Sequence, residues 1–366
     1  MRRFALPLAL LFFGLLAYAL VTFAISLWRS PYSATLMIGA FYDEGLIVSK
    51  NPEKAAEWYL RAAEKGEPVA QFKTGMFTYY GRGVAMDHRK GLEWITKAAE
   101  NGNRDAQFYL GDASFAGLEK PSDLALAATW YRKAAMQGHA KAQVRLANAY
   151  YSGDGVKKSD QKALFWASKA SALGDAEAQT LLATLYFFGL GTSANPQLAV
   201  KLLTQAANSG NSKAYEMLGS ANLNGIGTPK DVTAAIQWYI RAAEQGRTNA
   251  QYVLGYLYSS SGQVPVDYPL ANRWLLKAAA HGSAVASATL AVHIDTGKGF
   301  KRDKLKACGI LRVALKQKLP TNEDDMRSQL EHEEKALSPQ QLAEVAALET
   351  LYSTPEGLEQ LLGDIN

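Results

Sequence analysis

Tryptophan recurs every 36 residues through most of this chain: Trp58, Trp94, Trp130 and Trp166, then Leu202 in its place, then Trp238 and Trp274. No insertion interrupts the step. Four further columns keep the same register. Alanine stands at 62, 98, 134, 170, 206, 242 and 278, and glycine at 66, 102, 138, 174, 210, 246 and 282. A second alanine column runs from Ala70 to Ala286, and a Gly-or-Ala column runs from Gly75 to Ala291. A strict period of this length demands one small unit, repeated, whose apolar face is covered by its neighbours. A single mixed globular core is excluded. Of the 366 residues 48% are apolar and 20% charged, so global disorder is excluded too.

Each unit predicts two helices. Seven residues before the tryptophan column stand Asn51, Asp87, Asp123, Ser159, Asn195, Asp231 and Asp267, and Asp303 continues the series. All are residues whose side-chain oxygen accepts a free amide at a helix start. Pro52 and Pro196 follow at the first helical position, where the missing N–H costs nothing. The glycine column ends the first helix in a left-handed residue. Within it, Ala55, Trp58, Tyr59 and Ala62 are spaced as one buried stripe. A second helix is expected from about Glu67-Pro68 to Gly81-Arg82-Gly83, whose glycines break it. The small columns predict close helix crossings, with the indole filling the space between units.

The pattern Trp58-Tyr59-x-Arg61-Ala62-Ala63-Glu64-x-Gly66, then Ala70-Gln71, Gly75 and Gly81-x-Gly83-Val84-x-x-Asp87, resembles the Sel1-like repeat, a tetratricopeptide-type helical hairpin. The resemblance covers about residues 33–318. It departs locally at Leu202, at Ser171, and at the turns Gly117-Leu118-Glu119 and Ser261-Gly262-Gln263. It implies an all-α fold, a right-handed α/α superhelix of 36-residue hairpins. It also implies protein–protein recognition along a concave surface lined by first helices.

The two ends read differently. Arg2 and Arg3 precede an uncharged stretch from Phe4 to Leu27. As a helix those residues reach about 36 Å, enough for a ~30 Å hydrocarbon core. The expected organisation is therefore a membrane anchor over 1–30, a repeat array over 31–318, and an acidic helical cap over 319–366. The charge bias predicts a cytoplasmic N-terminus and a translocated body. In a bacterium this means a single-pass inner-membrane protein with its repeats in the periplasm. A cleaved signal peptide at Ala17-Tyr18-Ala19, leaving a soluble periplasmic protein, is the alternative. Residues 319–366 hold 11 acids against Arg327 and Lys335, whereas the helix expected over Asp303–Lys318 is basic. Docking of the cap is expected through Leu330, Leu337, Leu342, Val345 and Leu348.

Signals of chemistry are sparse. Cys308 is the one cysteine, so neither an internal disulfide nor a four-thiolate zinc site is available. His88, His139, His281, His293 and His332 fall at different phases of the repeat, and none pairs at helical spacing. No phosphate-loop, zincin or nucleophile-elbow motif is present. No enzyme activity, cofactor, metal or small-molecule substrate is expected. A basic ladder at Arg61, Lys97, Lys133, Lys169, Arg241 and Lys277 has the spacing of a phosphate track. The reading preferred is that each stem covers the tryptophan and each charge meets the helix C-terminus, so no nucleic acid is expected. The informative positions are those that vary. Opposite the buried stripe, Glu57, Glu93, Arg132, Phe165, Lys201, Ile240 and Arg273 are the candidate partner-binding residues, and Leu276 is expected to share that outward face. The function this predicts is an adaptor or scaffold for a protein partner in the envelope. Immunity against a secreted effector and binding of peptidoglycan or polysaccharide are the alternatives.

Overall fold

The structure of the protein, a computed structural model, describes residues 33–45, 47–118, 121–260, 262–317 and 323–365. The expected span Phe4–Leu27, the cleavage site Ala17–Ala19, Glu119 and Ser261 lie outside them. Among the described residues no helix is long and apolar enough to cross a membrane. The chain divides between Ala170 and Ser171 into two compact units.

The first unit holds α1 (Ala34–Glu44) and three full hairpins. These are α2 (Pro52–Glu64) with α3 (Pro68–Tyr80), α4 (His88–Glu100) with α5 (Arg104–Ala116), and α6 (Leu124–Met136) with α7 (Ala140–Ser152). Helix α8 (Asp160–Ala172) begins in this unit. The second unit continues with α9 (Ala176–Phe188), α10 (Pro196–Asn208), α11 (Ser212–Asn224), α12 (Val232–Glu244), α13 (Thr248–Ser260), α14 (Tyr268–Ala280), α15 (Ala284–Thr296) and α16 (Lys304–Lys316). It closes with α17 (Glu323–Glu334), α18 (Pro339–Tyr352), α19 (Pro355–Glu359) and a 3₁₀ turn over Gln360–Asp364.

Local chemistry sets these limits as the residues predict. Asn51 Oδ1 accepts the Lys54 amide at 2.8 Å, and Asp87, Asp123, Asn195, Asp231, Asp267 and Asp303 repeat the contact at 2.9–3.0 Å. Ser159 does so more loosely, at 3.4 Å. Each aspartate or asparagine cap also donates its own amide back to the preceding second helix, Asp87 to the Thr78 carbonyl and Asp123 to that of Ser114, both at 2.9 Å. The connection between repeats is thereby closed at both ends. A column beside the glycines caps the second helices: Asn103, His139, Asp175, Asn211 and Ser283 each accept the amide three residues on. That second series is not read from the sequence, because histidine hides among the standard caps.

Packing bears out Ala55, Tyr59 and Ala62 of the expected stripe and moves Trp58 to its edge. The tryptophans are half-buried, while the column after them is the core: Tyr59 1%, Ile95 0%, Tyr131 2%, Leu203 0%, Tyr239 4% and Leu275 0% exposed. Residues one apart sit about 100° apart around a helix, so only one of the pair faces straight inward. The indoles still bridge repeats, as expected. Trp94 packs on the core of the hairpin before it, and Trp130, Trp238 and Trp274 do the same. The Gly-or-Ala column explains the closest crossings. A Cβ on Gly111 would stand 2.6 Å from the Tyr131 ring, and one on Gly75 2.6 Å from Ile95. Each second helix thus lies against the next first helix wherever a bulky core residue needs room.

A buried glutamine ties neighbours in register. Gln71 Nε2 donates to the Ala63 carbonyl at 3.3 Å, and its Oε1 accepts from Asn101 of the next repeat at 2.8 Å. Gln107 does the same with Ala99 and Gln137, and Gln251 joins Ala243 to the His281 ring. Gln143 and Gln179 keep a buried Oε1 with no hydrogen-bond partner among the described residues.

Beyond α16 the second unit closes with helices that dock on it. Arg312 of α16 bonds Glu334 at 2.7 Å and Glu349 at 3.3 Å, and Lys306 reaches Asp364 at 2.6 Å. Leu330 and Val345 are buried, and Leu337 and Leu348 pack against the same core, whereas Leu342 is half-buried. Ser338 and Gln341 form a reciprocal capping box at the start of α18. Helix α19 and the 3₁₀ turn then fold back onto α14.

Candidate recognition surface

The outward face of the first helices is built by what the inward face demands. In the first unit Glu57, Glu93, Arg132 and Phe165 are exposed, and in the second Lys201 and Arg273 are exposed. Ile240 is half-buried and packs against the Tyr239 core. Leu276, expected outward, is only 4% exposed, because the returning C-terminal turn covers α14. The long-range return of a tail has no signature in the repeat pattern, so this was not foreseeable there.

The face carries mixed chemistry. Glu57 pairs with Arg61 one turn on at 2.6 Å, and Glu93 approaches Arg89 at 3.9 Å. Both pairs are exposed, so each contributes well under about 1 kcal/mol. Arg132 donates to the Tyr150 hydroxyl at 3.3 Å. Phe165 is 53% exposed, with its ring edge-on to Trp166 at 5.0 Å. Lys169 Nζ lies 5.1 Å from its centroid.

The basic ladder is resolved by geometry. Arg61, Lys97, Lys133, Arg241 and Lys277 each place the cation 4.0–5.1 Å from the ring of the tryptophan three residues earlier. Cation and indole form a pair, about 0.5–1 kcal/mol at exposed sites. In the one repeat without tryptophan, Leu202 is followed by Gln205 and both partners are missing together. The column finishes the core.

His139, His293 and the thiol are held in packed surroundings. His139 Nδ1 accepts the Ala142 amide at 3.1 Å while the ring stacks on Phe108 at 4.4 Å. Burial holds its pKa below the usual value. His293 donates from Nδ1 to Asn272 Oδ1 at 2.6 Å, and Asn272 donates to the Lys298 carbonyl at 2.9 Å. Burial, then the Lys298 charge, pushes the His293 pKa down to about 4. Cys308 is 1% exposed. Its pKa is pushed up to about 12 by burial and by Glu333, which makes the thiol inert. At Tyr59 burial, and then Asp43, raises the phenol pKa; its hydroxyl donates to Asp43, which also pairs with Arg82. Among the described residues no group of three or more His, Cys, Asp or Glu is placed to hold a metal ion.

Tandem hairpins of thirteen-residue helices, joined through small columns and a bridging indole, define a helical repeat protein. Seven consecutive stretches, 33–67, 68–103, 104–139, 140–175, 176–211, 212–246 and 248–283, match the Sel1 repeat family. The chain belongs to that family. The matched frame runs from a second helix to the next first helix, which is the crossing the glycine column makes closest. No curated protein matches the chain. Among solved structures it is similar to a Sel1 repeat protein from Oxalobacter formigenes, with 37% identity over 70% of this chain and 75% of that one, at a TM-score of 0.53. It is also similar to a protective antigen present in uropathogenic Escherichia coli strains displaying an SLR fold, with 26% identity over 90% of this chain and 86% of that one, at a TM-score of 0.56.

Proposed function

We propose that this chain is a binding scaffold that engages a protein partner through the outward face of its first helices. The observation that carries the reading is the contrast between columns. The small inward columns from Ala62 and Ala70 repeat unchanged, while the outward positions run from Glu57 through Arg132 and Phe165 to Arg273. A face with no packing duty, held rigid by invariant neighbours, is free to carry a surface specific to one partner. Phe165 is its aromatic anchor in the first unit, since exposed large aromatics cost solvation and supply most of the energy when covered. Membership of the Sel1 repeat family supports an interaction role over catalysis. The address belongs to the same proposal: an N-terminal membrane span, from Arg2, Arg3 and the uncharged stretch after them, holds the repeats outside the cytosol.

The test is site-specific photocrosslinking in living cells, with the crosslinker in the full chain at Phe165 or Lys201 and, as control, at Lys141 on a second helix. A discrete protein adduct from the first two positions and not from the third is expected. Adducts from Lys141 alone would move recognition to the second helices, and glycan adducts without protein would replace the reading. A compartment reporter fused after Asn366 is expected to be active only outside the cytosol; a cytosolic signal would overturn the address.

A further inference from the structure

The second unit holds a cavity of about 690 Å³ where the returning tail meets the outward face of α14. Its wall is apolar, with Trp274 and Leu276 from the helix and Leu362 from the 3₁₀ turn. Its rim carries Arg273 and Lys277 on one side and Glu359 on the other. Lys277 Nζ stands 4.5 Å over the Trp274 ring, and neither base makes an ion pair among the described residues. The volume falls in the range of pockets that hold a small ligand or one large side chain. Tryptophan and arginine are the residues most often found at binding hot spots.

The geometry points to a docking site for a short acidic segment of a partner protein, which places one bulky apolar side chain in the cavity and a neighbouring carboxylate on Arg273 and Lys277. The chain supplies the precedent for such an occupant. Its own tail, Pro355-Glu356-Gly357-Leu358-Glu359 and the turn after it, lies on the same helix, with Leu358 and Leu361 buried to 3% and 1% exposure. A turn of leucines and acids is therefore already compatible with this face, and the cavity lies beside it. Charge selects the incoming segment: two bases against one acid favour a carboxylate, and an arginine can bind it in a two-pronged hydrogen bond. The proposal rests on the reading of the outward face as a docking surface and locates one of its anchor points.

The experiment uses the full chain in mild detergent and a pool of nine-residue peptides, each with Leu, Phe or Trp between two acidic residues. A control pool carries Asn and Gln in place of the acids. Retention of the acidic pool at least tenfold over the control is expected. The best-retained peptide, measured by fluorescence anisotropy, is expected to lose at least tenfold in affinity in Arg273→Glu and in Ala280→Trp, which fills the cavity from its lining. Arg273→Lys should retain more affinity than Arg273→Glu, and Lys141→Glu, on the exposed side of a second helix, should change it less than twofold. Helical circular dichroism of each variant checks folding, and Arg273 is exposed, so its reversal leaves packing intact. Equal retention of both pools, or binding that survives both Arg273→Glu and Ala280→Trp, overturns the site. If Phe165 and Lys201 still crosslink a protein in cells, that failure leaves the scaffold reading standing. If crosslinking fails as well, both fall.

Discussion

Leu202 and Leu203 are chemically identical neighbours with different work. Leu203 is fully buried, whereas Leu202 is half-buried in the place tryptophan holds elsewhere. Leu203→Ala should cost about 3–4 kcal/mol, since it removes buried methylenes and leaves a cavity. Leu202→Ala should cost about 1 kcal/mol, in proportion to the smaller area it covers; urea denaturation measures both. A reversed order would put the core on the tryptophan column. His293 gives a pH signature. Its folded pKa of about 4 lies below the ordinary 6.5, so the unfolded chain takes up the proton first as pH falls. Its contribution is complete above about pH 6.5 and is lost as pH falls toward 4, by about 3 kcal/mol at most. In His293→Gln the difference in stability between pH 7 and pH 5 should shrink; an unchanged difference would assign the acid sensitivity elsewhere.

At the scale of the helix, legibility was uneven. All eight first-helix caps and the left-handed glycines were readable, because capping depends on residues three apart and needs no distant partner. Of the buried stripe Ala55, Trp58, Tyr59 and Ala62, only Trp58 was placed too deep. Tryptophan is the largest apolar residue, and size alone suggests the centre of a core; its basic partner three residues on marks it instead as a border residue. The Gln71 clamp was visible as a recurring letter without a role, because its partner sits thirty residues away on another helix. The glycine crossing supports a sharper test. Gly111→Ala should cost about 1–3 kcal/mol, because its Cβ meets the Tyr131 ring. That cost should fall in the background of Tyr131→Ala, where the ring is gone. Equal costs in both backgrounds would mean that the two helices do not need the gap.

Across the whole molecule, stability is a sum of hairpins and the contacts between neighbours. Ile95→Ala should therefore raise amide exchange in α3, α4 and α5 while leaving α16 protected, measured by hydrogen–deuterium exchange. A uniform rise in all helices would describe a cooperative domain instead. By itself the sequence determined the number of repeats, their helices, the helix caps and the small columns that face inward. Those properties are local and periodic, so seven copies of each signal reinforce one another. The use of the last repeat was decided only by tertiary structure. Leu276 is written like any outward residue, yet it is buried, and Arg273 stands at the edge of a cavity, because an aperiodic tail some eighty residues later folds back onto α14. Contacts of that kind are set by apolar burial between distant segments, and burial of this sort leaves no fixed spacing in the chain.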